Sequence, residues 1–357
     1  MSKHRLVVAF IGFSVCVLFI GLVSCAPRPE EEASPTAGFG SEEGDIFTGG
    51  DSDAATPGPP GPVGTIDLET VRQEVREAGG GFWSVLQAPG AAGAQTYEVD
   101  AREDFMGAFT IGNYEEEALS LVFSCIVDFA QTPCVEDQTE RIHRLELAAQ
   151  EDATLQLRLS DLSEGLHDVI FAMFLFPDEH STDPMFRLDS RFMYDYRRIT
   201  VHVGASRTSP SLALVAFDEP DEMAGQGMHF YTLSRHGGDR WEESWQLEEE
   251  ASPGESLEYY ITRNNPEERA ITYAFLAFLD YEQVPISGDH MVLYAQVGSQ
   301  RRAMPRGEVI APSELGEHEF FVLVADNPYV DQLEQYTSSD PLWANSYTSD
   351  RVLIRVQ

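Results

Sequence analysis

The chain has 357 residues, 43% of them hydrophobic, and its 60 acidic residues against 23 basic ones give a formal net charge of −37. A polyanion of that strength repels phosphate backbones, which argues against nucleic acid as a partner. The length fits two domains once a polar N-terminal part is set aside.

Lys3, His4 and Arg5 precede an apolar run over residues 6–22, the layout of a secretory signal peptide spanning residues 1–24. The run ends in Leu22-Val23-Ser24-Cys25, and Ala26-Pro27-Arg28-Pro29 then prevents any helix from continuing. This pattern resembles the lipobox of bacterial lipoproteins. The resemblance implies cleavage before Cys25 and acyl chains, palmitate among them, on that residue. It also implies an extracytoplasmic chain held to a bacterial membrane, since more than one acyl chain gives stable attachment. Cys16 lies in the segment that is discarded.

Residues 25–65 are rich in Pro, Gly, Ser and Glu, with isolated large apolar residues, and cannot build a core. They read as a disordered acidic tether with a span of roughly 35 Å. Residues 66–80 follow as a short amphipathic helix. Leu68, Val71, Val75 and Ala78 share its face, and Gly79-Gly80-Gly81 stops it. The helix is expected to pack on the domain that follows.

The rest of the chain repeats itself. Asn113-Tyr114-Glu115-Glu116 aligns with Asn265-Pro266-Glu267-Glu268, and the match runs without a gap to Phe129 and Tyr281. Leu119, Leu121, Phe123, Cys125 and Val127 alternate along one copy, and Ile271, Tyr273, Phe275, Ala277 and Leu279 along the other. Such alternation predicts a strand with one face in a core and the other polar or small. Gly165-Leu166-His167-Asp168 aligns in turn with Gly316-Glu317-His318-Glu319. The expected fold is all-β, with two tandem β-sandwich modules over residues 81–204 and 211–357 joined by a linker at 205–210. Leu162-Ser163-Glu164-Gly165-Leu166-His167 resembles the corner of immunoglobulin and fibronectin type III domains in which a Tyr side chain ties back to the backbone. Histidine stands in the place of that Tyr.

Cys125 and Cys134 are expected to form a disulfide, because the second copy replaces both together, by Ala277 and Ile286. His167 and His318 occupy matching places, which points to a structural corner. Acidic clusters such as Asp178-Glu179 lack the calcium-loop pattern and read as solvated charge, so no metal or cofactor is expected. The motifs of serine hydrolases, zinc proteases and nucleotide-binding loops are absent. Phe186, Trp343 and Tyr347 are the candidate ligand-binding aromatics, with packing at the sandwich rim as the simpler role. The expectation is a non-catalytic, membrane-anchored binding, adhesion or envelope-interaction module with a protein or glycan partner. The alternatives are a carbohydrate- or peptide-binding accessory of an envelope transport or degradation system and, third, a hydrolase with a dispersed site.

Overall fold

The computed structural model describes residues 67–77, 81–89, 95–181, 194–215, 231–234, 247–330 and 345–357. The signal segment, the lipobox cysteine Cys25, the tether up to residue 66, Phe186 and Trp343 lie outside these residues.

Helix α1 (Leu68–Glu77) is capped by Asp67, whose carboxylate accepts the Glu69 N–H at 3.0 Å. Leu68, Val71 and Val75 are only half-buried. The helix is held on the first module by Arg72, which donates to Asp152 at 2.5 and 3.0 Å, and by Arg76 over the Tyr114 ring. Polar and cation–π contacts thus supplement the weak apolar face on which the sequence expectation rested.

The first module contains β1 (Phe82–Gln87), β2 (Thr96–Val99), β3 (Phe105–Asn113), β4 (Leu119–Val127), β5 (Ala130–Thr132), β6 (Ile142–Leu147), β7 (Glu151–Leu159), β8 (Gly165–Leu175) and β9 (Tyr194–Val203). One sheet has the order β1-β3-β7. The other runs β2-β9-β8-β4-β5, with β6 also on β4. The second module contains β10 (Tyr231–Ser234), β11 (Glu248–Ala251), β12 (Ser256–Asn264), β13 (Ile271–Leu279), β14 (Glu282–Val284), β15 (Leu293–Val297), β16 (Arg302–Ala303), β17 (Arg306–Ile310), β18 (Gly316–Asp326), β19 (Ser346–Thr348) and β20 (Val352–Val356). It repeats the topology, down to the parallel pairing of β2 with β9 and of β11 with β20. Where the first module has the continuous β7, the second has β16 and β17. The break falls at Pro305, which has no N–H to give to a ladder. The protein is therefore all-β, two immunoglobulin-like sandwiches in tandem.

Each sandwich has its own core. In the first, Phe109, Phe123 and Phe171 meet between the sheets, and Cys125 is bonded to Cys134, with Cα atoms 6.1 Å apart. In the second, Ala277 and Ile286 fill the positions of that disulfide and are fully buried.

The expectation of one buried face per strand fails in an informative way. All eleven residues of β8 are buried. Val122 and Ile126, on the face of β4 turned away from its own core, are buried too, in a third apolar cluster. That cluster also takes Ile170 and Phe174 from β8, and Leu276, Phe278, Phe321 and Leu323 from the second module. The outer face of each module's central sheet is the inner face of a module–module interface.

Candidate functional site

The interface is built from the duplicated elements and is reciprocal. Phe174 lies 4.9 Å from Phe321 and 5.9 Å from Phe278 between ring centroids. The Gln131 N–H donates to Gln283 Oε1 at 2.7 Å, and the Gln283 N–H donates to Gln131 Oε1 at 2.8 Å. Each side-chain amide also donates to the other module, Gln131 Nε2 to the Tyr281 carbonyl at 2.9 Å and Gln283 Nε2 to the Phe129 carbonyl at 3.0 Å. Arg198 donates to the carbonyls of Asp326 and Asn327 at 2.6 and 3.3 Å, while Arg351 donates to those of Leu175 and Phe176 at 2.8 and 3.3 Å. Residue i meeting j while its repeat meets the repeat of i is the signature of a two-fold, isologous contact, contained in one chain.

Two-residue turns prepare the ends of this interface. Asp128 and Phe129 have φ of 51° and 65°, and Asp280 and Tyr281 have φ of 50° and 71°. Hairpin turns of this hand favour Asn and Gly, so a bulky aromatic at the second place carries backbone strain. The strain places both rings in the interface, where Phe129 and Tyr281 are each 1% exposed. It also points both aspartates at histidines. His167 Nδ1 lies 2.6 Å from Asp128 Oδ2, and His318 Nδ1 lies 2.7 Å from Asp280 Oδ2. The other ring nitrogens bond back along the chain, His167 Nε2 to the Ser163 carbonyl at 2.7 Å and His318 Nε2 to the Glu314 carbonyl at 3.1 Å. That upstream bond is the one the Tyr hydroxyl makes in the corner the sequence resembles. Burial disfavours the charged rings, but the aspartate and carbonyl acceptors outweigh it and hold both imidazoles above their ordinary pKa. Both nitrogens of each ring are thus engaged by groups of the protein itself.

A buried ionic group lies on the Arg198 side. Arg198 forks onto Asp168 at 2.6 and 2.9 Å, and Asp168 also accepts the Tyr329 N–H at 3.0 Å. Arg263 binds both oxygens of Asp326 at 3.1 and 3.2 Å and sits 4.5 Å from the Tyr273 ring centroid. Burial pushes the Asp326 carboxyl up, against the pull of the Arg263 and Arg198 guanidiniums. Such buried pairs add little net stability, but removing one partner strands the other. The periodicity of β8 and β9 gave no sign of this group, because Asp168 and Arg198 look like the polar positions of ordinary strands.

The two ends of the interface differ. Near Asp128 the linker covers it: Leu212 packs on the interface cluster and Val215 reaches Tyr294. Near Asp280 there is a cleft of about 330 Å³, lined among others by Arg144, Asp178, His180, Asp280, Glu314 and Glu317. Arg144 pairs with Asp178 at 2.7 Å, and Glu317 with Arg355 at 3.1 Å.

Of the aromatics singled out in the sequence, Tyr347 is described. It is half-buried against the second core, with the Arg263 guanidinium 5.7 Å from its ring centroid. Among the described residues the large exposed apolar side chains are Met106, Leu214, Met291, Ile310 and Leu315, none of them aromatic. No group of three His, Cys, Asp or Glu among these residues is arranged to hold a metal ion.

No protein-family model matches the chain, and no curated protein does. Solved structures with a likeness include the red sea bream transglutaminase, at 11% identity and a TM-score of 0.22, covering 82% of this chain and 34% of that one. A CARDB domain from Pyrococcus furiosus is 9% identical with a TM-score of 0.22, over 34% of this chain and 88% of that one. A β-glucosidase from Listeria innocua is 16% identical with a TM-score of 0.21, over 36% of this chain and 17% of that one. The chain thus spans about a third of the transglutaminase.

Proposed function

We propose that this protein is a lipid-anchored, extracytoplasmic lipoprotein whose paired sandwiches act as a non-catalytic binding module of the cell envelope. The lipobox-like Leu22-Val23-Ser24-Cys25 supports the anchor. The disulfide of Cys125 and Cys134 suits an oxidising compartment. The observation that carries the binding role is the reciprocal interface, which fixes two sandwiches as one body and leaves an open, charged cleft at one of its ends. The histidines that would serve a hydrolase are instead consumed, in duplicate, by corner bonds. Between ligand classes the cleft favours peptide over glycan, because its lining is mostly charged and the large exposed apolar side chains among the described residues include no aromatic.

Labelled palmitate fed to producing cells tests the anchor. The protein is expected to take up label and to lose it, together with membrane association, in Cys25→Ser. An unlabelled wild type, or label persisting in the variant, overturns it.

A further inference from the structure

The linker's course at one end of the interface defines a track, and among the described residues the matching track at the other end is unfilled. The Thr208 carbonyl passes Gly165, 3.5 Å from where a Cβ would stand. Ser209 Oγ donates to the Tyr329 carbonyl at 3.3 Å. Leu214 then pairs in parallel with Tyr294 on the outer edge of β15, where the Val215 N–H donates to the Tyr294 carbonyl at 2.8 Å. In the duplicated fold Gly165, Tyr329 and Tyr294 correspond to Gly316, Asp178 and Arg144. All three of these counterparts line the open cleft. Among the described residues β6, the counterpart of β15, pairs with β4 alone, so its other edge offers backbone N–H and C=O groups.

The chemistry along the two tracks differs. The filled one is apolar, and Leu212 packs there on the aromatic cluster that includes Tyr294 and Tyr329. The open one presents the carboxylates of Asp178, Asp280, Glu314 and Glu317 against two arginines, Arg144 paired with Asp178 and Arg355 paired with Glu317. A second copy of the chain, at net charge −37, is repelled from it. So is the chain's own tether, where Arg28 is the lone basic residue among eight carboxylates. We propose that the cleft binds an extended basic segment of a partner protein, which adds in parallel to β6 as residues 214–215 add to β15. Backbone bonds to the β6 edge supply the register, and alternate Lys or Arg side chains meet the carboxylates. This assignment rests on the reading of the chain as a binding module and is independent of the lipid anchor.

The test uses the full chain in detergent and a fluorescein-labelled octapeptide of alternating Lys and Val, followed by anisotropy at physiological salt. Saturable binding is expected, weaker by at least about tenfold for an alternating Glu and Val peptide and for the Lys–Val peptide with N-methylated backbone amides. Asp178→Lys with Glu317→Lys, both at exposed side chains, is expected to weaken binding by a similar factor, and Glu267→Lys with Glu268→Lys, on the exposed turn before β13 at the opposite end of that strand from Asp280, to leave it unchanged. Amide exchange is expected to slow at Arg144 when peptide is added. The proposal is overturned by absent saturable binding, by equal binding of the N-methylated peptide, by an equal loss in the Glu267/Glu268 variant, or by protection that bypasses β6. Failure of this experiment with palmitate labelling intact removes the cleft and leaves the anchor standing.

Discussion

His167 and His318 show how duplication separates structural chemistry from catalytic chemistry. Each ring spans an aspartate from a strained hairpin turn and a carbonyl four residues upstream, with the same atoms in the same roles. Their pH dependence follows from the raised imidazole pKa. The folded state then holds the protons more tightly than the unfolded chain, whose histidines titrate near about 6.5. The stabilisation is complete below that value and is lost as pH rises through the folded pKa. Urea midpoints measured between pH 6 and 8 are expected to fall with rising pH, and the fall to flatten in His167→Gln with His318→Gln. An unchanged slope in the double variant would remove both corners from the explanation. The sequence made the pairing of the two histidines legible through their alignment. It hid their partners, because Asp128 and Asp280 lie about 40 residues away and are brought in by turns whose aromatic second residue breaks the usual Asn-Gly preference.

Among elements, the strands around Cys125 and Ala277 give the clearest comparison of alternative solutions for one site. A disulfide joins β4 to the chain beyond β5 in the first module, and Ala277 with Ile286 fills the same place by packing in the second. Breaking the loop constraint with Cys125→Ser and Cys134→Ser is expected to cost about 2–4 kcal/mol by chemical denaturation. Cys125→Ala with Cys134→Ile, which imports the second module's solution, is expected to cost distinctly less. Equal losses would mean that the crosslink itself, rather than the filling of the site, decides stability there. The alternation along β4 and β13 made the strands and their core faces readable. The reverse faces were not, because Val122, Ile126 and Ser124 have the composition of a half-solvated strand and are buried only when the second module arrives.

At the scale of the molecule, two sandwiches that the sequence presents as beads on a short linker are one body. The aromatic cluster around Phe174 and Phe321 supplies the apolar area, and the paired glutamines and arginines fix the register. Such an interface has the isologous form of a homodimer, with the linker and the first residues of the second module, 205–215, making it intramolecular and filling one of its two ends. The proposed function depends on that asymmetry, since a flexible tandem would have no defined cleft at its second end. No periodicity reveals it, because the contact joins residues about 150 positions apart through side chains that each strand alone would accept. Pulsed electron spin resonance between nitroxides at the exposed turn residues Glu116 and Glu268 measures the relation between the modules directly. A single narrow distance distribution is the expected result, and a broad one, as from modules that move independently about the linker, would contradict the account.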